Sequence, residues 1–194
     1  MPRGVVIPEL RQQFFAALER LIATGGPSGL TGRAVTRDAG VATGLLYTHF
    51  RTWDGFLAGY AVDRSFQIAA GVAGLAEQAG SATVAANLAE AVRATPLDRI
   101  VALTRLLVFR PDLTAEVERV LGPGAAGLTA VEQAVARYLA AEQEIGRVPA
   151  GADPEALALA LTGTLQRLAL AGEPDEAVLN RTGQVIDHVL SGVS

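Results

Sequence analysis

The chain of 194 residues contains no cysteine, only two histidines, one methionine and one tryptophan. Without cysteine there are no disulfides, no thiolate chemistry and no thiolate-ligated metal, which fits a reducing compartment. The histidines, His49 and His188, share no ligand spacing, so a histidine-rich metal site is excluded. Lysine is also missing: the sixteen basic residues are all arginine. That bias is explained as well by genome composition as by mechanism.

Long hydrophobic runs are missing too. The most apolar stretch, EALALALTGTLQRLALAG (155–172), is broken by Gln166 and Arg167 and reads as a buried helix, too short for a membrane span. The opening MPRGVVIPELRQQFF has no apolar core followed by a small-residue cleavage site, so no signal peptide is read and a cytoplasmic location is expected. GPGAAG (122–127) has the spacing of a dinucleotide loop. Nothing before it reads as a strand and proline fills its second position, so it is a helix–helix connection. Asn180-Arg181-Thr182 is a glycosylation sequon by letters only. No nucleophile–base pairing, phosphate loop or metal box appears, which argues against an enzyme and against a cofactor.

Half of the residues are hydrophobic, enough for a sizeable core. Their spacing is helical nearly everywhere. Leu10, Phe14, Leu18, Leu21 and Ile22 form an amphipathic stripe over 9–24, which TGGPSG then stops. Thr31 suits the N-cap of a short helix to Asp38, and Gly40 suits its C-terminal turn. A third helix is expected over 43–49 and a longer one from Thr52 to about Gln78. Further helices follow over 83–94, 96–109, 112–121, 125–145, 154–171 and 175–191. The expected class is all-α, with a three-helix N-terminal domain over 1–52 and a larger helical domain over 53–194.

Charge is unevenly spread. Residues 1–51 hold six arginines against Glu9, Glu19 and Asp38, a net +3, so the remainder carries −7 of an overall −4. A basic head on an acidic body points to a polyanionic partner for the head alone. Within that head, AGVATGLLYTHF (39–50) sets Tyr47, Thr48 and His49 together after a small-residue turn. Helices 30–38 and 43–49 have the dimensions of a helix-turn-helix, with Val35, Ala39, Val41 and Leu46 spaced to pack them together. The second would present Thr43, Gly44, Tyr47, Thr48 and His49 outward, ready for a major groove. The same geometry also fits an internal helical hairpin with a half-buried Tyr47.

LTGRAVTRDAGVATGLLYTHFRTWDGFL (30–57) resembles the DNA-binding segment of the TetR family of bacterial transcriptional regulators. The resemblance rests on Leu30-Thr31, Ala39-Gly40-Val41, Gly44, Leu46-Tyr47 and Phe50, with Phe14, Ala17, Leu21 and Gly25-Gly26 matching the family's first helix. It implies that Thr31 and Tyr47 contact backbone phosphate, with Arg33 on the same DNA-binding face. Thr43, Gly44 and Thr48 would lie against bases, His49 close to phosphate, and Phe50 in the core. The sequence departs from the family at Ala42, usually serine, at Thr43, often basic, at Thr36, usually alanine, and at Trp53, commonly lysine.

The resemblance further implies a repressor of a palindromic double-stranded operator, released by a small-molecule ligand. A helical interaction protein with a degenerate helix-turn-helix is the alternative. The apolar helices 125–145 and 154–171 are the expected homodimer interface. A small, largely apolar effector is expected among the middle helices, near some of Phe66, Leu103, Arg105, Leu107, Phe109, Tyr138 and Gln166. Arg105 stands out, lying inside the apolar run IVALTRLLVF.

Overall fold

A computed structural model describes residues 7–191, and these form ten α-helices without a strand among them. Helices α1 (Ile7–Gly25), α2 (Gly32–Asp38) and α3 (Thr43–Phe50) make a small head. Helix α4 (Trp53–Val72) leaves the head and runs into the body. The body is completed by α5 (Val84–Arg93), α6 (Leu97–Phe109), α7 (Asp112–Leu121), α8 (Leu128–Glu144), α9 (Pro154–Leu170) and α10 (Asp175–Ser191).

Side-chain caps fix several of these starts. The hydroxyls of Thr31, Thr52 and Thr83 accept from the backbone amides of Ala34, Gly55 and Ala86 at 3.1, 2.9 and 3.1 Å. Asp153 accepts from Glu155 and Ala156, with Pro154 supplying a first helical residue whose missing N–H costs nothing. Each such cap contributes about 1 kcal/mol.

One hydrophobic core runs from head to body, taking in Phe14 and Leu46 at one end and Tyr138 and Leu161 at the other. Leu97, Leu165, Leu168 and Val178 form a satellite beside it. Where the head meets α4, Phe14, Phe15, Phe50, Phe56 and Tyr60 interlock with ring centroids 5.0–6.4 Å apart. Contacts of this kind add about 0.5–1.5 kcal/mol per pair beyond area burial. Ser65 of α4 accepts from the amide of Gly127 at 3.1 Å and so ties the loop before α8 to the central helix.

Two expectations change. Helix α4 stops at Val72 rather than near Gln78, because the chain tightens into a 3₁₀ turn over Ala76–Gln78 and drops Leu75, 3 % exposed, into the core. The apolar face of α8 is also spent inside the subunit. Val131, Val135, Tyr138 and Leu139 are buried and Leu128 is half-buried, while the outward residues Thr129, Gln133 and Arg137 are polar.

Candidate nucleic-acid interface

The reversal between α2 and α3 is closed by paired backbone bonds. The amide of Val41 donates to the carbonyl of Thr36 at 2.9 Å and that of Gly40 to Arg37 at 3.1 Å, with Gly40 at φ +69°. This two-bond helix ending needs a left-handed residue, which glycine adopts without strain. Gln13 of α1 donates to the carbonyl of Ala39 at 2.7 Å and holds the turn against the first helix. Val35, Ala39 and Leu46 are buried between the helices, and half-buried Phe50 anchors the end of α3 among Phe14, Phe15 and Phe56.

With its apolar side fixed, α3 turns Thr43, Gly44, Leu45, Tyr47 and Thr48 to solvent, with His49 half-exposed. Tyr47 is 42 % exposed, and its hydroxyl lies only 2.8 Å from where a Cβ on Gly32 would stand. That puts the phenol beside the first turn of α2, where exposed Thr31 and Arg33 lie. The Thr48 hydroxyl donates to the carbonyl of Gly44 at 3.0 Å, and the Thr43 hydroxyl lies 3.1 Å from that of Thr36. Arg33, Arg37 and Arg51 are exposed and make no ion pair among the described residues. Of the seven residues expected to face DNA, Thr31, Arg33, Thr43, Gly44, Tyr47 and Thr48 are exposed and His49 is half-exposed. The sequence reading did not single out Arg37 or Arg51, whose signal was only the charge excess of the head.

Behind this surface the head is tied to the body by arginines. Arg64 of α4, 3 % exposed, donates through Nε to Glu19 of α1 at 2.6 Å and through Nη1 to Asp63 and Gln12 at 2.7 and 2.8 Å. Burial opposes its charge, but the bond and charge of Glu19, with Tyr60 and Asp63 beside them, together raise its pKa. The Tyr60 phenol donates to the same Glu19 oxygen at 3.3 Å, and burial, reinforced by that carboxylate, holds its proton well above the usual range. Within the rest of the chain, Arg99 of α6 donates to Gln67 of α4 at 2.7 Å, and Arg110 bridges Asp54 of α4 and Asp112 of α7.

The residues expected to line an effector site do not converge. Phe66 and Phe109 are 60 % and 50 % exposed, whereas Leu103 is buried core. Tyr138 is buried and committed, donating to Glu142 at 2.6 Å and accepting from Asn87 at 3.0 Å. Leu107 and Gln166 line a groove of about 330 Å³ between α6, α8 and α9. Arg105 is half-buried and reaches the carbonyl of Ile22 at 3.4 Å, lining a different cleft of about 510 Å³ between α1, α6 and the α9–α10 turn. A small apolar cavity among α5, α8, α9 and α10 measures about 30 Å³. Glu142, fully buried and clasping Gly80 and Arg147 as well as Tyr138, is a polar centre that helical periodicity gave no means of finding.

Residues 14–59 match the model of the bacterial regulatory proteins of the tetR family. These residues form a TetR-family DNA-binding head. The fold of the chain is that of solved members along nearly the whole length. A TetR-like transcriptional regulator from Rhodococcus sp. RHA1 superposes with a TM-score of 0.64 at 16 % identity, covering 99 % of both chains. The fatty acid degradation regulator FadR from Bacillus halodurans gives 0.65 at 17 % identity, covering 95 % of this chain and 96 % of that one. FadR from Bacillus subtilis, solved in complex with stearoyl-CoA, gives 0.66 at 16 % identity, covering 94 % and 99 %. No curated protein matches the chain. The TetR-family head makes this chain a DNA-binding transcriptional regulator, and among the described residues no helix is long and apolar enough to cross a membrane.

Proposed function

We propose that this TetR-family regulator is a homodimeric cytoplasmic repressor that reads a palindromic operator with α3 and is released by a small, largely apolar effector. The observation that carries the reading is the exposure, on α2 and α3, of Thr43, Gly44, Tyr47 and Thr48 together with Thr31, Arg33 and Arg37, with exposed Arg51 just beyond α3 and the three arginines making no ion pair among the described residues. Tyr47, Thr31 and Arg33 are read as phosphate contacts, Thr43, Gly44 and Thr48 as base contacts, and His49 as a flanking phosphate contact.

The dimer reading narrows from α8 and α9 to α9. Ala156, Leu159, Ala160, Gly163, Arg167 and Leu170 recur on one exposed side of that helix, with Leu159 59 % exposed. The small residues let a second copy approach closely, and the polar outer face of α8 would border the contact. For the effector, the cleft beside Arg105 has the volume of an ordinary ligand site, whereas the interior cavity at about 30 Å³ does not. A molecule there would touch both α1 and α6 and could bias the head directly.

The test is Tyr47→Phe beside Thr43→Ala. The Tyr47 hydroxyl has no hydrogen-bond partner among the described residues, so its loss should leave melting unchanged. It should weaken operator binding by about 1 kcal/mol, roughly fivefold, equally across operator variants. Thr43→Ala should instead weaken binding in a way that depends on one base pair. A destabilised Tyr47→Phe protein with unchanged DNA affinity would sink the assignment.

A further inference from the structure

Thr36 lies at the α2–α3 contact, 1 % exposed, and its hydroxyl has three oxygen neighbours. The carbonyls of Gly32 and Arg33 stand at 2.9 and 3.2 Å, and the Thr43 hydroxyl at 3.1 Å. A hydroxyl has one proton and two lone pairs. Carbonyls only accept, so the single proton of Thr36 is directed at them. The contact with Thr43 must then be made by the Thr43 proton on a lone pair of Thr36. The opposite assignment would press the Thr36 oxygen against two carbonyl oxygens with no proton between them, where burial keeps water from relieving the contact.

Thr43 is exposed and is the first residue of α3, the end of a recognition helix that comes nearest to base edges. With its proton turned inward, it meets DNA as an acceptor only. We propose that Thr36 is a positioning residue for sequence reading: by accepting the Thr43 proton it fixes the polarity of the base contact. The base opposite Thr43 would then be adenine or cytosine, which offer an exocyclic amino group. Guanine is selected against, because its major-groove edge shows only the N7 and O6 acceptors. The inference rests on the reading that α3 enters the major groove with Thr43 against a base.

The experiment uses the full-length protein. Bound duplexes are first selected from a randomised half-site library, and the position sensitive to Thr43→Val is identified. Affinities are then measured on four duplexes differing only there. Wild-type protein should bind the guanine duplex about fivefold more weakly than the adenine or cytosine duplex, the scale of one net hydrogen bond. Thr36→Val keeps the packed volume and removes the acceptor. The Thr43 proton is then free to reach guanine, and the guanine penalty should disappear. Thr36→Ser restores the acceptor and should restore the penalty.

Melting curves show that each variant is folded, and Thr36→Ala carries the same expectation if valine does not pack. A wild-type preference for guanine, or a Thr36→Val protein with an undiminished guanine penalty, overturns the inference. If Thr43→Val leaves the whole profile unchanged, the placement of Thr43 against a base falls with it. If Thr43→Val alters the profile and Thr36→Val does not, the assignment to Thr36 alone is lost.

Discussion

Adjacent residues on α1 make ion pairs of very different burial, and Glu19→Gln and Arg20→Gln should separate them. Glu19 meets an Arg64 guanidinium that is 3 % exposed and lies 5.3 and 5.5 Å from the Phe15 and Tyr60 ring centroids. Glutamine keeps the shape and one acceptor oxygen but removes the charge. A bond to a charged group contributes about 1.5–3 kcal/mol and a neutral one about 0.5–1.5, so the loss should be about 1–2 kcal/mol. It stays below the 3–5 kcal/mol or so of a fully broken buried pair, because Asp63 at 2.7 Å still faces Arg64. Arg20 and Asp38 are 56 % and 30 % exposed, and their separation should cost less than about 1 kcal/mol. Urea unfolding at fixed protein concentration, at about 0.1 M and 1 M salt, is the assay, since the screening length falls from about 10 to 3 Å. The Glu19→Gln loss should survive high salt, with a melting drop of roughly 2–8 °C, and the Arg20→Gln loss should vanish. If Arg20→Gln costs as much as Glu19→Gln, or if the Glu19→Gln loss fades in high salt, the burial argument is wrong.

Leu159→Glu should give folded monomers by sedimentation, whereas Val135→Glu, placing a charge at a site 6 % exposed, should unfold the subunit. A Leu159→Glu protein that still sediments as a dimer would move the interface off α9. Gly32→Ala should displace the Tyr47 phenol from its 2.8 Å approach and weaken DNA binding without lowering the melting temperature; unchanged affinity would show that the phenol contributes nothing in that position. Tyr60 and Tyr138 both have pKa values raised above 10.0, in each case first by burial and then by Glu19 or Glu142. The unfolded chain loses these protons first, so their stabilisation is intact below pH 10 and drains as pH rises beyond it. Alkaline titration should show phenolate absorbance from both appearing only with loss of helix, and ionisation of all three tyrosines ahead of unfolding would contradict this.

Much of the head was legible because its local chemistry is self-contained. Thr31 and Gly40 mark the ends of α2 by capping and handedness alone, the packing of Leu46 follows from spacing, and the core place of Phe50 was implied by the family resemblance. The body was legible as helices but not as contacts. Periodicity showed that α8 has an apolar face, but not that the subunit itself would cover it. Phe66 and Phe109 read as pocket walls from their residue type, yet both point outward. The stop of α4 at Val72 was also hidden, since the chain there carries glycines and alanines without a proline. Thr36 could be seen as a departure from the family, but its bond to Thr43 required the two helices to be brought together.

The indole of Trp53 stands at the first residue of α4, 5.3 Å from the Phe56 ring and within 3.8 Å of where a Gly32 Cβ would lie. It is the chain's one tryptophan, so its fluorescence comes from a single place where α2, α3 and α4 converge. The unlabelled protein is therefore its own optical gauge of the head. Operator binding would act on that neighbourhood directly, while a molecule bound in the body would reach the indole through the segments that join body to head, α1, α4 and the turn before α2. In a rapid-mixing experiment, an emission change that trails ligand binding would time the signal's passage from body to head.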